Sequence, residues 1–117
     1  MTKVAIIVHA TENEMGRALH ALLYAQELHE AKIEVKVYFD GQGTVWVKTM
    51  EDPSHMFNPL YKAVKATGIL AGACGSCADA FGVTQDIQAA GINTLAEAEG
   101  HFSVAKLVAD GYQIITL

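Results

Sequence analysis

Two hydrophobic periods alternate along the chain. Residues 3–9 hold Val4, Ala5, Ile6, Ile7 and Val8 without a polar break, the pattern of a parallel strand covered on both faces. Thr11 and Glu14 then form a capping box, and Met15, Ala18, Leu19, Leu22, Leu23 and Gln26 recur at helical spacing to about residue 30. In residues 34–39, Val35, Val37 and Phe39 alternate with Glu34, Lys36 and Tyr38, which predicts a strand with one solvated face, as at a sheet edge. Asp40-Gly41-Gln42-Gly43 turns the chain. Residues 44–47 fit a short strand or one helical turn, and residues 51–54 a loop. Asn58-Pro59 opens a helix that Gly68 stops, with Asn as cap and Pro at the first helical position.

The second half repeats the alternation in shorter pieces. Residues 69–73 read as a strand, residues 77–81 as a short helix, and residues 84–90 as a helix capped by Thr84 and stopped by Gly91. Residues 92–95 are a short strand. Residues 103–110 form the last helix, with Val104, Leu107 and Val108 inward, and residues 112–117 the last strand. Alternating strands and helices predict an α/β fold, a three-layer α/β/α sandwich on a flavodoxin-like parallel sheet. The expected strand order is 2-1-3-4-5. It sets the first and third strands side by side, with the ligand crevice at their carboxyl ends.

Composition narrows the function. At 117 residues the chain is expected to be one domain, and 51% hydrophobic with 18% charged residues supplies a core. A net charge of −5 without a basic stripe argues against nucleic acid, and no polybasic run addresses a membrane. The first apolar run spans five residues, too short for a signal-peptide core or a membrane span, so a cytoplasmic location is expected. Thiols stay mostly reduced there. The two cysteines, three residues apart, are therefore expected to be reactive or metal-linked rather than a structural staple.

Those cysteines lie in Ile-Leu-Ala-Gly-Ala-Cys74-Gly-Ser-Cys77, where a strand passes into a helix around Gly75. Free N–H groups and the positive end of the helix dipole favour an anion at such a corner. A thiolate is an anion, so Cys74 or Cys77 is expected to have a lowered pKa, within roughly 3.5–7.5 for reactive thiols at helix starts. The expected strand order brings His9, Ala10 and Thr11 beside Cys74. His9 then becomes the candidate base, and Thr11 and Gly41 join Gly75 and Ser76 as candidate binding residues. Two thiols could recruit His9 or His101 to a metal, but no second ligand pair exists for a closed structural site. His20, His29, His55 and His101 read as surface residues. Trp46, Met50, Met56 and Phe57 form an apolar group that either lids the core or makes a subunit contact. No G-x-G-x-x-G or Walker A follows the first strand, and no cofactor is expected. A thioredoxin-type pair would need a later proline to face it, whereas Pro53 and Pro59 both precede the cysteines.

The run Cys74-Gly-Ser-Cys-Ala-Asp-Ala-Phe-Gly82-Val83 resembles the motif of the DsrE/DsrF-like family of small sulfur-relay proteins, which includes the TusD-type subunits. The apolar first strand, the Ala/Leu-rich first helix, the Val-Tyr-Phe-Asp-Gly end of the second strand and the helix at Thr84 extend the likeness over most of the chain. The resemblance implies a single domain of that family whose Cys74 carries sulfane sulfur as a persulfide. It also implies a homo-oligomer and separate sulfur donor and acceptor proteins. Two departures stand out: Phe81 occupies a position where the family often has arginine, and Cys77 one that is often small and polar. Two other readings of the residues stay open. One is a non-catalytic ligand- or partner-binding module with inert thiols. The other is a CxxC dithiol redox protein.

Overall fold

The computed structural model describes residues 1–117. Five strands, all parallel, form one sheet: β1 (Lys3–Val8), β2 (Glu34–Phe39), β3 (Leu70–Cys74), β4 (Thr94–Leu95) and β5 (Tyr112–Thr116). The helices are α1 (Met15–Glu30), α2 (Val45–Glu51), α3 (Asn58–Ala66), α4 (Gly75–Ala80), α5 (Thr84–Ala89) and α6 (Val104–Ala109). A 3-10 turn, Gly41–Thr44, precedes α2. The α/β/α sandwich expected from the alternation is present.

The strand order is 4-3-2-1-5, a variant of the 2-1-3-4-5 expectation. β2 therefore separates β1 from β3. The chain steps in one direction from β1 through β2 and β3 to β4, then returns across the sheet to β5. Right-handed crossovers put helices of the first three steps on one face and the returning helix, α6, on the other. Packing follows that division. Val4, Ile6, Val8, Val35, Val37 and Phe39 are buried with Leu22 of α1, Met50 of α2, Tyr61 of α3 and Ile87 of α5 in a group of 24 residues. Ala5, Ile7, Tyr38, Cys74, Phe102, Leu107 and Tyr112 make a group of seven beneath α6.

This asymmetry corrects two details. The polar-apolar alternation of β2 marks a thinly covered face, not an edge strand. Glu34 and Lys36 are exposed although β2 is hydrogen-bonded on both sides. Lys36 and Lys3 each place their ammonium 5.4 Å from the centre of the Tyr112 ring, and the Tyr112 hydroxyl bonds to Glu34. In α6 only Leu107 is buried, while Val104 is 43% and Val108 59% exposed.

Residues 45–51, readable from the sequence as strand or helical turn at their start, are helical, and tertiary bonds hold them. Trp46 is buried, and its Nε1 donates to the carbonyls of Ala10 at 3.0 Å and Thr11 at 3.3 Å. Asn58 is the first residue of α3 rather than its cap. Its Nδ2 donates at 2.8 Å to the Met50 carbonyl, one of the acceptors that the end of α2 leaves free. Trp46, Met50 and Phe57 thus lid the core, and Met56 stays exposed. The buried stripe of α1 is Ala18, Ala21, Leu22 and Ala25, with Met15 and Leu23 outside it. Only the return half of the capping box forms: Glu14 Oε1 accepts the Thr11 N–H at 3.0 Å. The 3-10 turn lies hard against β1, since a Cβ on Gly43 would fall 1.9 Å from the Val8 carbonyl oxygen.

Candidate functional site

The carboxyl ends of β1, β2 and β3 bring His9, Asp40 and Cys74 to one edge of the sheet. Because β2 is in the middle, His9 does not meet Cys74, and Asp40 stands between them. Its backbone N–H donates to the Val8 carbonyl at 2.9 Å, extending the β1–β2 pairing by one residue. Its carboxylate is shared between two sides. Oδ2 accepts from His9 Nε2 at 2.9 Å, which places the proton on that nitrogen, because a carboxylate only accepts. Oδ1 accepts the Gly41 N–H at 3.0 Å and the Cys77 thiol at 3.6 Å. Gly41 has φ +55°, a left-handed conformation suited to glycine. The turn that follows β2 therefore orients the carboxylate it carries.

Both thiols are free. Cys74 is 1% exposed, at the end of β3 and immediately before α4, in the small cluster with Tyr38 and Phe102. Those two rings stack with their centres 4.7 Å apart. Cys77, in the first turn of α4, is partly exposed. The two sulfurs and a carboxylate oxygen of Asp40 all lie within 4.8 Å of one another.

Electrostatics at this corner oppose the lowered thiol pKa expected from a helix start. Burial, first of all, pushes the Cys74 thiol up to about 11. The Cys77 backbone N–H pulls it down, but the Cys77 thiol and the Asp40 carboxylate add to the rise. The helix start is also partly blocked. The Ser76 N–H donates at 2.8 Å to the Gly100 carbonyl, and the Ser76 hydroxyl donates to the same oxygen at 2.9 Å. A Cβ on Gly75 would sit 3.0 Å from the Leu95 carbonyl oxygen. The loop after β4 thus closes over the start of α4 and occupies a donor that could have faced an anion.

Of the residues singled out in the sequence, the structure brings Cys74, Cys77, His9 and Gly41 together through Asp40. Gly75 and Ser76 pack against the loop. Thr11 is engaged elsewhere, its N–H on Glu14 and its carbonyl on Trp46. His20, His29 and His101 are exposed and His55 half-buried, none of them in the cluster. Asp40 is the residue that sequence reasoning passed over. Its signal was an Asp-Gly pair closing a parallel strand, at the sheet edge where such folds gather their polar groups.

The profile of the DsrE/DsrF-like family matches residues 2–117. The chain belongs to the DsrE/DsrF-like family. That membership points to a sulfur-relay-type role, with partner proteins of such a relay. An uncharacterized protein of Methanocaldococcus jannaschii is 30% identical over 119 aligned positions, covering 98% of this chain and 95% of that one. No solved structure matches significantly. No helix of this DsrE/DsrF-like protein is long and apolar enough to cross a membrane.

Proposed function

We propose that this DsrE/DsrF-like protein is a cytoplasmic sulfur carrier that holds sulfane sulfur as a persulfide on Cys74. The supporting observation is family membership over residues 2–117, joined to a Cys74 that ends β3 with a second thiol close by. The Cys74 thiolate attacks the outer sulfur of a donor persulfide, the donor thiolate leaves, and Cys74 keeps the sulfur. An acceptor thiolate then takes that sulfur by the same displacement, as in thiol–disulfide exchange. No net oxidant is required. Burial keeps Cys74 protonated near pH 7, so loading proceeds when the thiol turns out from beneath Phe102 and loses its proton. Cys77 is the more exposed of the two thiols. The reading extends to a homo-oligomer, checked by light scattering.

Intact mass after treatment with a sulfane-sulfur donor tests it. One added sulfur that reductant removes is expected in the wild type and in Cys77→Ser, and none in Cys74→Ser. Loss of loading in Cys77→Ser alone would overturn the assignment. The separation of the two sulfurs favours a second reading, a dithiol redox pair. Its mark is the loss of two hydrogens instead of the gain of sulfur.

A further inference from the structure

We propose that Asp40, Cys74 and Cys77 form a binding site for one zinc-class divalent metal ion. The donors come from three places: the residue after β2, the end of β3 and the first turn of α4. Their ligand atoms lie within 4.8 Å of one another. Metal bonds of about 2.3 Å to sulfur and about 2.0–2.2 Å to oxygen set tetrahedral edges near 3.5–3.8 Å, so closure requires shifts of about 1 Å. Two thiolates and a carboxylate suit zinc and its neighbours better than magnesium or calcium, which take all-oxygen shells. Three protein ligands leave one of four positions for water or an incoming thiol.

Charge favours the same conclusion. A site built only to activate a thiol gains from a cation beside it. This one sets the Asp40 carboxylate there. A divalent cation bound among them would balance the carboxylate's charge and take both sulfurs as thiolate ligands. The outer shell is present as well. His9 Nε2 fixes Oδ2 at 2.9 Å and the Gly41 N–H bonds Oδ1, so the carboxylate is oriented before a metal arrives. His101 does not contribute, being turned to the Phe102 carbonyl. The metal would engage the thiols that the persulfide reading uses, so the two states exclude each other on one molecule.

Cobalt(II) titrated into reduced, chelator-treated protein under anaerobic conditions is the test. One equivalent is expected to bind with thiolate-to-cobalt charge-transfer absorption and strong tetrahedral ligand-field bands, both bleached by added zinc. Cys77→Ser should weaken binding and at least halve the charge-transfer absorption, since one thiolate remains, and Asp40→Asn should weaken binding at least tenfold. Circular dichroism checks that each variant is folded. Should Asp40→Asn not fold, His9→Gln takes its place, with about tenfold weaker binding expected and an unchanged affinity contradicting the site. The proposal is also overturned by absence of charge-transfer absorption in the wild type, or by equal affinity in Asp40→Asn. Sulfur loading is measured separately on the metal-free protein, so failure of either idea leaves the other standing on its own result.

Discussion

The two faces of the sheet are built differently. On one face, five helices cover the strands and 24 residues are buried together. On the other, α6 spans six residues, the buried group has seven, and Lys36 of the central strand β2 reaches solvent. Cys74 belongs to the smaller group. The thickly covered face supplies most of the apolar burial that stabilises the fold. The thin face holds the thiol where little packing has to move to uncover it. Local opening concentrates where buried contacts are few.

Truncations on the two faces should separate them. Phe39→Ala, in the large cluster, is expected to cost about 4 kcal/mol. Leu107→Ala, under the thin cover, should fall at the low end for its type, about 2 kcal/mol, because neighbours can settle into the gap. Urea midpoints at a shared slope measure both, and equal losses would break the contrast. Gly43→Ala forces a Cβ onto the Val8 carbonyl, where backbone rather than a flexible side chain must give way. It should lose about 3 kcal/mol, which thermal melts would register.

Cys74 has its thiol raised from an ordinary 9.0 to about 11 in the folded chain. A raised pKa means that the folded state holds this proton more tightly. The corresponding stability is present below pH 9 and is lost as pH climbs through about 11. Tyr112, pushed up to about 12 chiefly by burial and by Glu34, and Tyr61, raised by burial, act with the same sign at still higher pH. Melting temperature should therefore fall on the alkaline side. In chelator-treated protein, alkylation of Cys74 should rise with pH toward that value. Asp40→Asn should move the midpoint down by removing a neighbouring negative charge.

The smallest effect should come from Ser76→Ala. It removes one of the two hydrogen bonds on the Gly100 carbonyl, a loss of about 1 kcal/mol. If the loop after β4 guards Cys74, mass-resolved alkylation of that thiol should quicken while global stability barely changes. An unchanged rate would place the guard elsewhere.

How much of this was legible depends on what periodicity records. Continuous apolar runs in β1 and at Ile69–Ala73 announced buried parallel strands, and Gly68, Gly82, Gly91 and Gly111 marked the helix stops. Periodicity records which side of an element is covered, not which element lies next to it. The alternation of β2 was real, yet it reflected a thin layer overhead instead of a missing neighbour. In α6, six residues are too few to fix a phase, so Val104 and Val108 read as inward. The position of β2 then decided the site. With β2 central, a carboxylate rather than an imidazole faces the cysteines, and His9 acts through it. The depth of Cys74 was not readable either, because Phe102 and the loop over it come from a stretch with no repeating pattern.

Uptake of sulfur by Cys74 is the step on which a carrier role depends. Intact-mass measurement of the reduced, metal-free protein after exposure to a sulfane-sulfur donor asks that directly. The predicted result is a single added sulfur on the wild type, removed by reductant and lost in Cys74→Ser. A wild-type mass that never changes, with Cys74 shown to be accessible by alkylation at high pH, would contradict the sulfur-carrier reading.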